Sequence, residues 1–152
     1  MNVAYLLVNS ASNYPDRTAI ISEERRLSYK IFNDRVNQLA HAMRRYGLKK
    51  GDRVALMSFN THHFGEVYFA TAKLGALLTP VNFRFVGEEI EYVVNNSESS
   101  FLFFGKEFQE TIASVCQRLQ TVENFIGVDV GKEDFAHDHE LFLSSGTRRL
   151  LT

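Results

Sequence analysis

The spacing of apolar positions changes along this chain, and each change marks an element. Val54 to Met57 form a short unbroken apolar run, as a strand buried on both faces would. Asn60 or Thr61 can cap a helix after it. Phe64, Val67, Tyr68, Thr71, Ala72 and Leu74 then keep helical spacing, and Gly75 stops the run. Leu77 to Thr79 return as a second apolar strand, closed by Pro80. The stretch from Gly51 to Phe85 is therefore one strand–helix–strand unit.

The flanking segments extend the same grammar. Residues 2–13 predict a short helix with Val3, Leu6, Leu7 and Ala11 on one face, ended at Tyr14-Pro15-Asp16. Thr18 to Ser22 and Arg25 to Leu27 read as a hairpin. Ser28 opens the longest helix, to about Tyr46, with a stripe of Phe32, Val36, Leu39, Ala40 and Met43 and a stop at Gly47. Ile31 stands where a capping box would place an acidic residue. Glu88 to Val94 predict a further helix, Phe101 to Phe104 a strand, and Phe125 to Val128 another strand. Between them, Phe108, Ile112, Val115, Cys116 and Leu119 mark a helical stripe that places the Cys116 thiol in the core. Short apolar runs alternating with helical patterns imply a parallel sheet of βα units. The fold class is thus α/β: a mostly parallel sheet flanked by helices, with a small N-terminal hairpin. Residues 1–130 form this unit. Residues 131–152 lose the pattern and read as an irregular tail with a short helix around Asp138 to Leu143.

Composition narrows the function classes. The chain has 152 residues, 45% hydrophobic and 23% charged, which suits one domain with a real core. A formal net charge of −1 gives no broad pull toward nucleic acid, and the basic pairs Arg25-Arg26, Arg44-Arg45 and Lys49-Lys50 are dispersed among acidic residues. A single cysteine excludes a disulfide framework within the chain. No apolar run approaches the roughly 18 residues of a membrane span, and the first residues carry no basic leader. The expectation is a cytoplasmic protein.

Three blocks carry a family resemblance: LSYKI (Leu27 to Ile31), KKGDRVALMSFN (Lys49 to Asn60) and KLGALLTPVNFRF (Lys73 to Phe85). In content, order and spacing they resemble the N-terminal part of the AMP-binding, adenylate-forming acyl-CoA synthetases, over about residues 1–130. The resemblance implies the N-terminal subdomain of that fold. It also implies a two-step reaction in the whole enzyme: a carboxylate, expected to be a fatty acid, attacks the α-phosphate of ATP to give an acyl adenylate and pyrophosphate, and the thiol of CoA then displaces AMP. ATP, Mg and CoA are the implied cofactors of the full-length enzyme, none of them held tightly by this part alone. The implied partners are the remainder of the enzyme and the carboxylic acid, with self-association expected through faces the remainder would cover. The family's phosphate loop is a Ser/Thr/Gly run followed by Pro-Lys-Gly. Ser144-Ser145-Gly146-Thr147 resembles its start, but Arg148-Arg149 come next instead. The chain is accordingly expected to be inactive by itself. The alternative is a stand-alone binding or regulatory module derived from such an enzyme.

Open parallel sheets bind ligands beyond the carboxyl ends of their strands. That rule makes Asn60, His62 and Asn82 candidates for a ligand cleft. The resemblance adds Arg84 as a CoA contact, because arginine offers phosphate a planar fork of donors. The plain alternative for Arg84 is pairing with Glu88 or Glu89, or solvation. His63 belongs to a helix start, and His41 faces solvent or a neighbour. His137-Asp138-His139-Glu140 holds residue types that bind metals, but the two histidines share a face only on an extended segment, so a solvated loop is expected. No catalytic residue and no metal ligand is assigned.

Overall fold

The computed structural model describes residues 2–23, 25–130 and 135–149. Its centre is β3 (Arg53–Met57), which pairs in parallel with β4 (Leu77–Pro80) on one side and β5 (Phe101–Phe104) on the other. Beyond β5 lie β6 (Asn124–Gly127) and then β7 (His137–Asp138), both parallel, giving the order β4-β3-β5-β6-β7. The expected parallel sheet is present, with one strand more than the apolar runs predict.

Successive side chains on a strand point to opposite faces, and this alternation builds two cores. Val54, Leu56, Phe101 and Phe103 point to one face, where they meet α1 (Ala4–Asn13), α2 (Tyr29–Arg45), α3 (His62–Lys73) and α6 (His139–Ser144). Ala55, Met57, Leu102 and Phe104 point to the other, under α4 (Gly87–Asn96) and α5 (Gln109–Val115). Strands covered on both sides need no polar positions, hence the unbroken runs. Strand β4 is different: it lies at an edge, and Leu77 is 58% exposed.

The helix boundaries reflect local chemistry. Ser28 Oγ caps α2 by accepting from Ile31 N at 3.2 Å, and Gly47 leaves the helix at φ +103°. Helix α4 has the reciprocal half that α2 lacks: Glu89 Oε2 accepts from Val86 N at 2.9 Å. Thr61 occupies the N-cap of α3 but makes no capping bond. The buried face of α3 also departs from the stripe read in the sequence. Tyr68 is 39% exposed, while His62, His63 and Glu66 point inward beside Val67 and Ala70. At Cys116 the chain tightens into a 3-10 turn (Cys116–Arg118), so the thiol is half-buried instead of in the core. The hairpin of β1 (Thr18–Ile21) and β2 (Arg26–Ser28) is antiparallel and packs close to α3 at Gly65. A Cβ there would lie 2.9 Å from Ile20 Cδ1 and 3.3 Å from Phe32 Cζ.

Candidate functional site

The chain leaves β3 for β4 on one side and then crosses to β5 on the other. Helix α3 covers one face and α4 the other, as same-handed crossovers in opposite directions require. The two loops after β3 and β5 therefore part company above the sheet and leave a crevice, the usual ligand position in open α/β folds. Two adjoining hollows occupy it. The smaller, ≈ 30 Å³, lies between Ser58, Thr61 and His63 and the Gly105–Glu107 loop. The larger, ≈ 290 Å³, is bounded by Asn60, His62, Lys106 and Glu107 and by Ser22 and Glu23 of the hairpin. Thr61 Oγ1 is buried without a hydrogen-bond partner at their common wall.

The residues singled out in the sequence divide into two groups. Asn60 and His62 line the larger hollow. Asn82 and Arg84 do not; they lie on the neighbouring rim after β4. Asn82 Oδ1 accepts from Arg84 N at 2.9 Å and so shapes the turn. The Arg84 side chain is exposed, with its guanidinium 5.8 Å from the Phe83 ring centroid. The two groups are joined by aromatics: Phe59 packs on Phe83 at 5.2 Å and on Phe108 at 5.1 Å between centroids.

Behind the crevice lies a charged cluster that the sequence reading did not assemble. Arg35 of α2 donates through Nε to Glu66 Oε1 at 2.5 Å. It also donates through Nη2 and Nη1 to both carboxylate oxygens of Glu140, at 2.6 and 3.1 Å. His139 Nε2 donates to the other oxygen of Glu66 at 2.9 Å. The His62 and His63 rings lie 3.9 Å apart between centroids, tilted by 37°, and His63 meets His139 edge-on at 4.7 Å. The segment expected to be a solvated loop is thus split: His137 is exposed, Asp138 caps α6 through Leu141 N at 3.3 Å, and His139 is buried. The strand ends at Asp138 and α6 begins at His139, so the helical turn breaks the alternation and directs His139 inward.

The electrostatics reflect burial and partners. Burial alone would raise the Glu66 carboxyl, but hydrogen bonds from His139 and Arg35 outweigh it and hold the group below its ordinary value. Glu140 is held well below the carboxylate range by His63 and by Arg35. His63 stands 3.8 Å away, too far for a hydrogen bond, so the firmer part of that effect is Arg35. His62 is pulled down to about 4, by burial first and then by His63. It is therefore neutral at physiological pH. One ligand atom from each of His62, His63 and Glu140 lies within 4.8 Å of the others, which makes them the metal-capable group among the described residues.

Helix α2 also anchors the segment after α6. Asn37 Nδ2 donates to the Arg148 carbonyl at 3.3 Å, and His41 Nε2 to the Arg149 carbonyl at 3.0 Å. Gly146 sits so close to α2 that a Cβ would overlap the Gln38 carbonyl. Ser144-Ser145-Gly146 therefore closes a helix, with Gly146 N bonded to the Leu143 carbonyl at 3.0 Å. That corrects its likeness to the start of a phosphate loop: the stretch lies along α2, at the end of α6 away from the crevice.

Comparison with known proteins decides the family. The model of the AMP-binding enzyme family matches residues 7–145. The chain belongs to the AMP-binding enzymes. A 3-oxocholest-4-en-26-oate–CoA ligase of Rhodococcus rhodochrous is 31% identical over 137 residues, 90% of this chain and 25% of the relative. A crotonobetaine/carnitine–CoA ligase of Salmonella typhimurium is 34% identical over 130 residues, 82% of this chain and 25% of the relative. An anthranilate CoA ligase crystallised with anthranoyl-AMP superposes with a TM-score of 0.93 at 20% identity, over 99% of this chain and 29% of that one. The chain thus has the fold of the N-terminal region of CoA ligases and spans about a quarter of the length of these curated relatives. No helix among the described residues is long and apolar enough to cross a membrane.

Glu66 and Arg35 are what sequence reasoning missed in this AMP-binding chain, and His139 and Glu140 are what it placed in a solvated loop. The signal was available for Glu66 alone. It falls at helical spacing with His63 and Ala70, so a carboxylate lies in line with the buried face. Its partners come from positions 35 and 139, and no local pattern couples them.

Proposed function

We propose that this chain is the N-terminal part of an ATP-dependent acyl-CoA ligase and supplies its scaffold and one rim of its CoA entrance. The observation that carries the reading is the family match over residues 7–145, combined with relatives of which it spans about a quarter. In the whole enzyme the carboxylate oxygen bonds to the α-phosphorus of ATP and pyrophosphate leaves. The CoA sulfur then bonds to the acyl carbon and AMP leaves. ATP, Mg and CoA act there. The donors that grip the ATP phosphates belong to the other three quarters, so this part makes neither bond alone.

Within this reading Arg84 meets a phosphate of CoA. Its exposed fork of donors at the carboxyl end of the sheet suits that role. Phe83 and Phe59, 48% and 41% exposed, offer an apolar platform beside it. Asn60 and His62 line the neighbouring hollow, and Asn82 shapes the turn that carries Arg84.

Two measurements test the proposal. Pyrophosphate exchange by the 152-residue chain, with fatty, steroid and aromatic acids, is expected to be absent; turnover would contradict it. In the whole enzyme, Arg84→Ala is expected to raise the KM for CoA about tenfold or more, the loss of one charge-assisted contact, with the KM for ATP unchanged. An unchanged KM for CoA would remove Arg84 from the entrance.

A further inference from the structure

At the first turn of α3, the rings of His62 and His63 lie 3.9 Å apart between centroids, and Glu140 of α6 reaches toward them. We propose that these three side chains form a binding site for a divalent transition-metal ion of the zinc class. Two imidazoles and one carboxylate are a donor set such ions take, with a fourth position left for water.

The geometry is close to what coordination needs. Bonds of about 2.0–2.2 Å to a tetrahedral ion place ligand atoms about 3.4 Å apart. His63 Nε2 and Glu140 Oε1 are already 3.8 Å apart. Glu140, whose side chain is 46% exposed, supplies the third donor from the solvent side. That exposure also gives an ion its way in, since both histidines are buried.

The surroundings orient the ligands as a metal site requires. Ser22 Oγ lies 3.1 Å from His62 Nδ1 and donates to the Arg25 carbonyl at 3.5 Å. When that oxygen accepts from Nδ1–H, the lone pair is left on Nε2 for an ion. Metal-ligating histidines characteristically have such an oxygen on their other nitrogen. Arg35 fixes Glu140 in the same manner, through two nitrogens. Charge points the same way. Glu66 and Glu140 bring two carboxylates to the single guanidinium of Arg35. A metal there would join the start of α3 to the start of α6 and hold the crevice loop Ser58–Thr61 from behind.

The test is a titration of the whole 152-residue chain with Zn2+, and with Co2+ for its visible bands. One saturating equivalent is expected, with the ring-nitrogen NMR signals of His62 and His63 shifting while those of His41 and His137 stay in place. Ser22→Ala, which removes an outer partner only, is expected to weaken binding about tenfold. Glu140→Gln, at a partly exposed position and nearly isosteric, is expected to weaken it at least as much. The NMR readout needs no variant, so a misfolded mutant leaves the test intact. Absence of saturable binding, ring shifts at His41 or His137 instead, or undiminished affinity in Glu140→Gln would overturn the assignment.

Discussion

His139 donates a 2.9 Å hydrogen bond to the carboxylate of Glu66 across 73 positions of sequence, and neither side chain is more than 3% exposed. With Arg35 on the other oxygen, this bond ties α6 to α3 and α2 through one buried anion. Removing the anion leaves Arg35 and His139 without it, and breaking a buried pair from one side costs about 3–5 kcal/mol. Glu66→Ala is therefore expected to lower unfolding stability by about that much in urea titrations. Glu66→Gln, which keeps the hydrogen-bond acceptor, should cost less. Equal stability of Glu66→Ala and the parent chain would show the cluster to be energetically idle.

Acid should weaken the fold in two stages. The His62 pKa is depressed to about 4, so between its ordinary 6.5 and that value the unfolded chain binds a proton that the folded chain refuses. Stability then falls as pH drops through this window. Glu66 and Glu140 have depressed values too, so their contribution is present above the ordinary carboxylate pKa and is lost on further acidification. Melting temperatures from pH 7.5 to 3.5 should show both stages, and His62→Gln should abolish the first. A profile flat down to pH 4.5 in the parent chain would contradict the burial of a neutral His62.

Lys73 behaves in the opposite direction on the pH scale. Its ammonium donates to Asn33 Oδ1 and Asn37 Oδ1, both at 2.6 Å, but burial brings its pKa down to about 8. Between pH 8 and 10.5 the unfolded chain holds the proton and the folded chain does not, so this group's contribution to stability rises with pH. Competitive labelling with a trace acylating reagent at pH 8 is the sharper check. The half-buried Lys73 should show a titration midpoint near 8. A midpoint near 10.5 would refute it.

Gly146 is expected to tolerate no side chain. Gly146→Ala sets a Cβ against the Gln38 carbonyl, which is backbone and cannot swing aside. The segment around Arg148 and Arg149 should then lift from Asn37 and His41. Faster hydrogen exchange from Ser145 to Arg149, and a loss of about 1–3 kcal/mol, are the expected signs. Exchange rates identical to the parent would mean the contact relaxes elsewhere.

The sheet was legible because its central strands are covered on both faces, and such strands cannot conceal their apolar runs. Helix α2 was legible from its stripe and from Ser28 and Gly47 at its ends. Strand β7 was not, since a two-residue strand, His137–Asp138, has no period to read. It exists because β6 offers a free edge beside it. The crevice is a consequence of topology, and Asn60 and His62 do line its larger hollow. Asn82 does not, because its side chain is used by its own turn. The buried charges escaped for a different reason. Arg35, Glu66 and Glu140 each look like ordinary surface residues until the fold brings them together, and Tyr68 looked like a better core residue than Glu66.

The two borders of the sheet contrast with the open ribbons from which fibrils grow. On one side the last rung is Pro80, which has no amide proton to offer a newcomer. On the other, β7 presents a ladder two residues long, too short to template a long strand. Copies of this chain that meet in solution are therefore poorly equipped to extend one another's sheets. Leu141, 72% exposed on the short helix α6, protrudes as a lone side chain and presents no strand backbone to pair with.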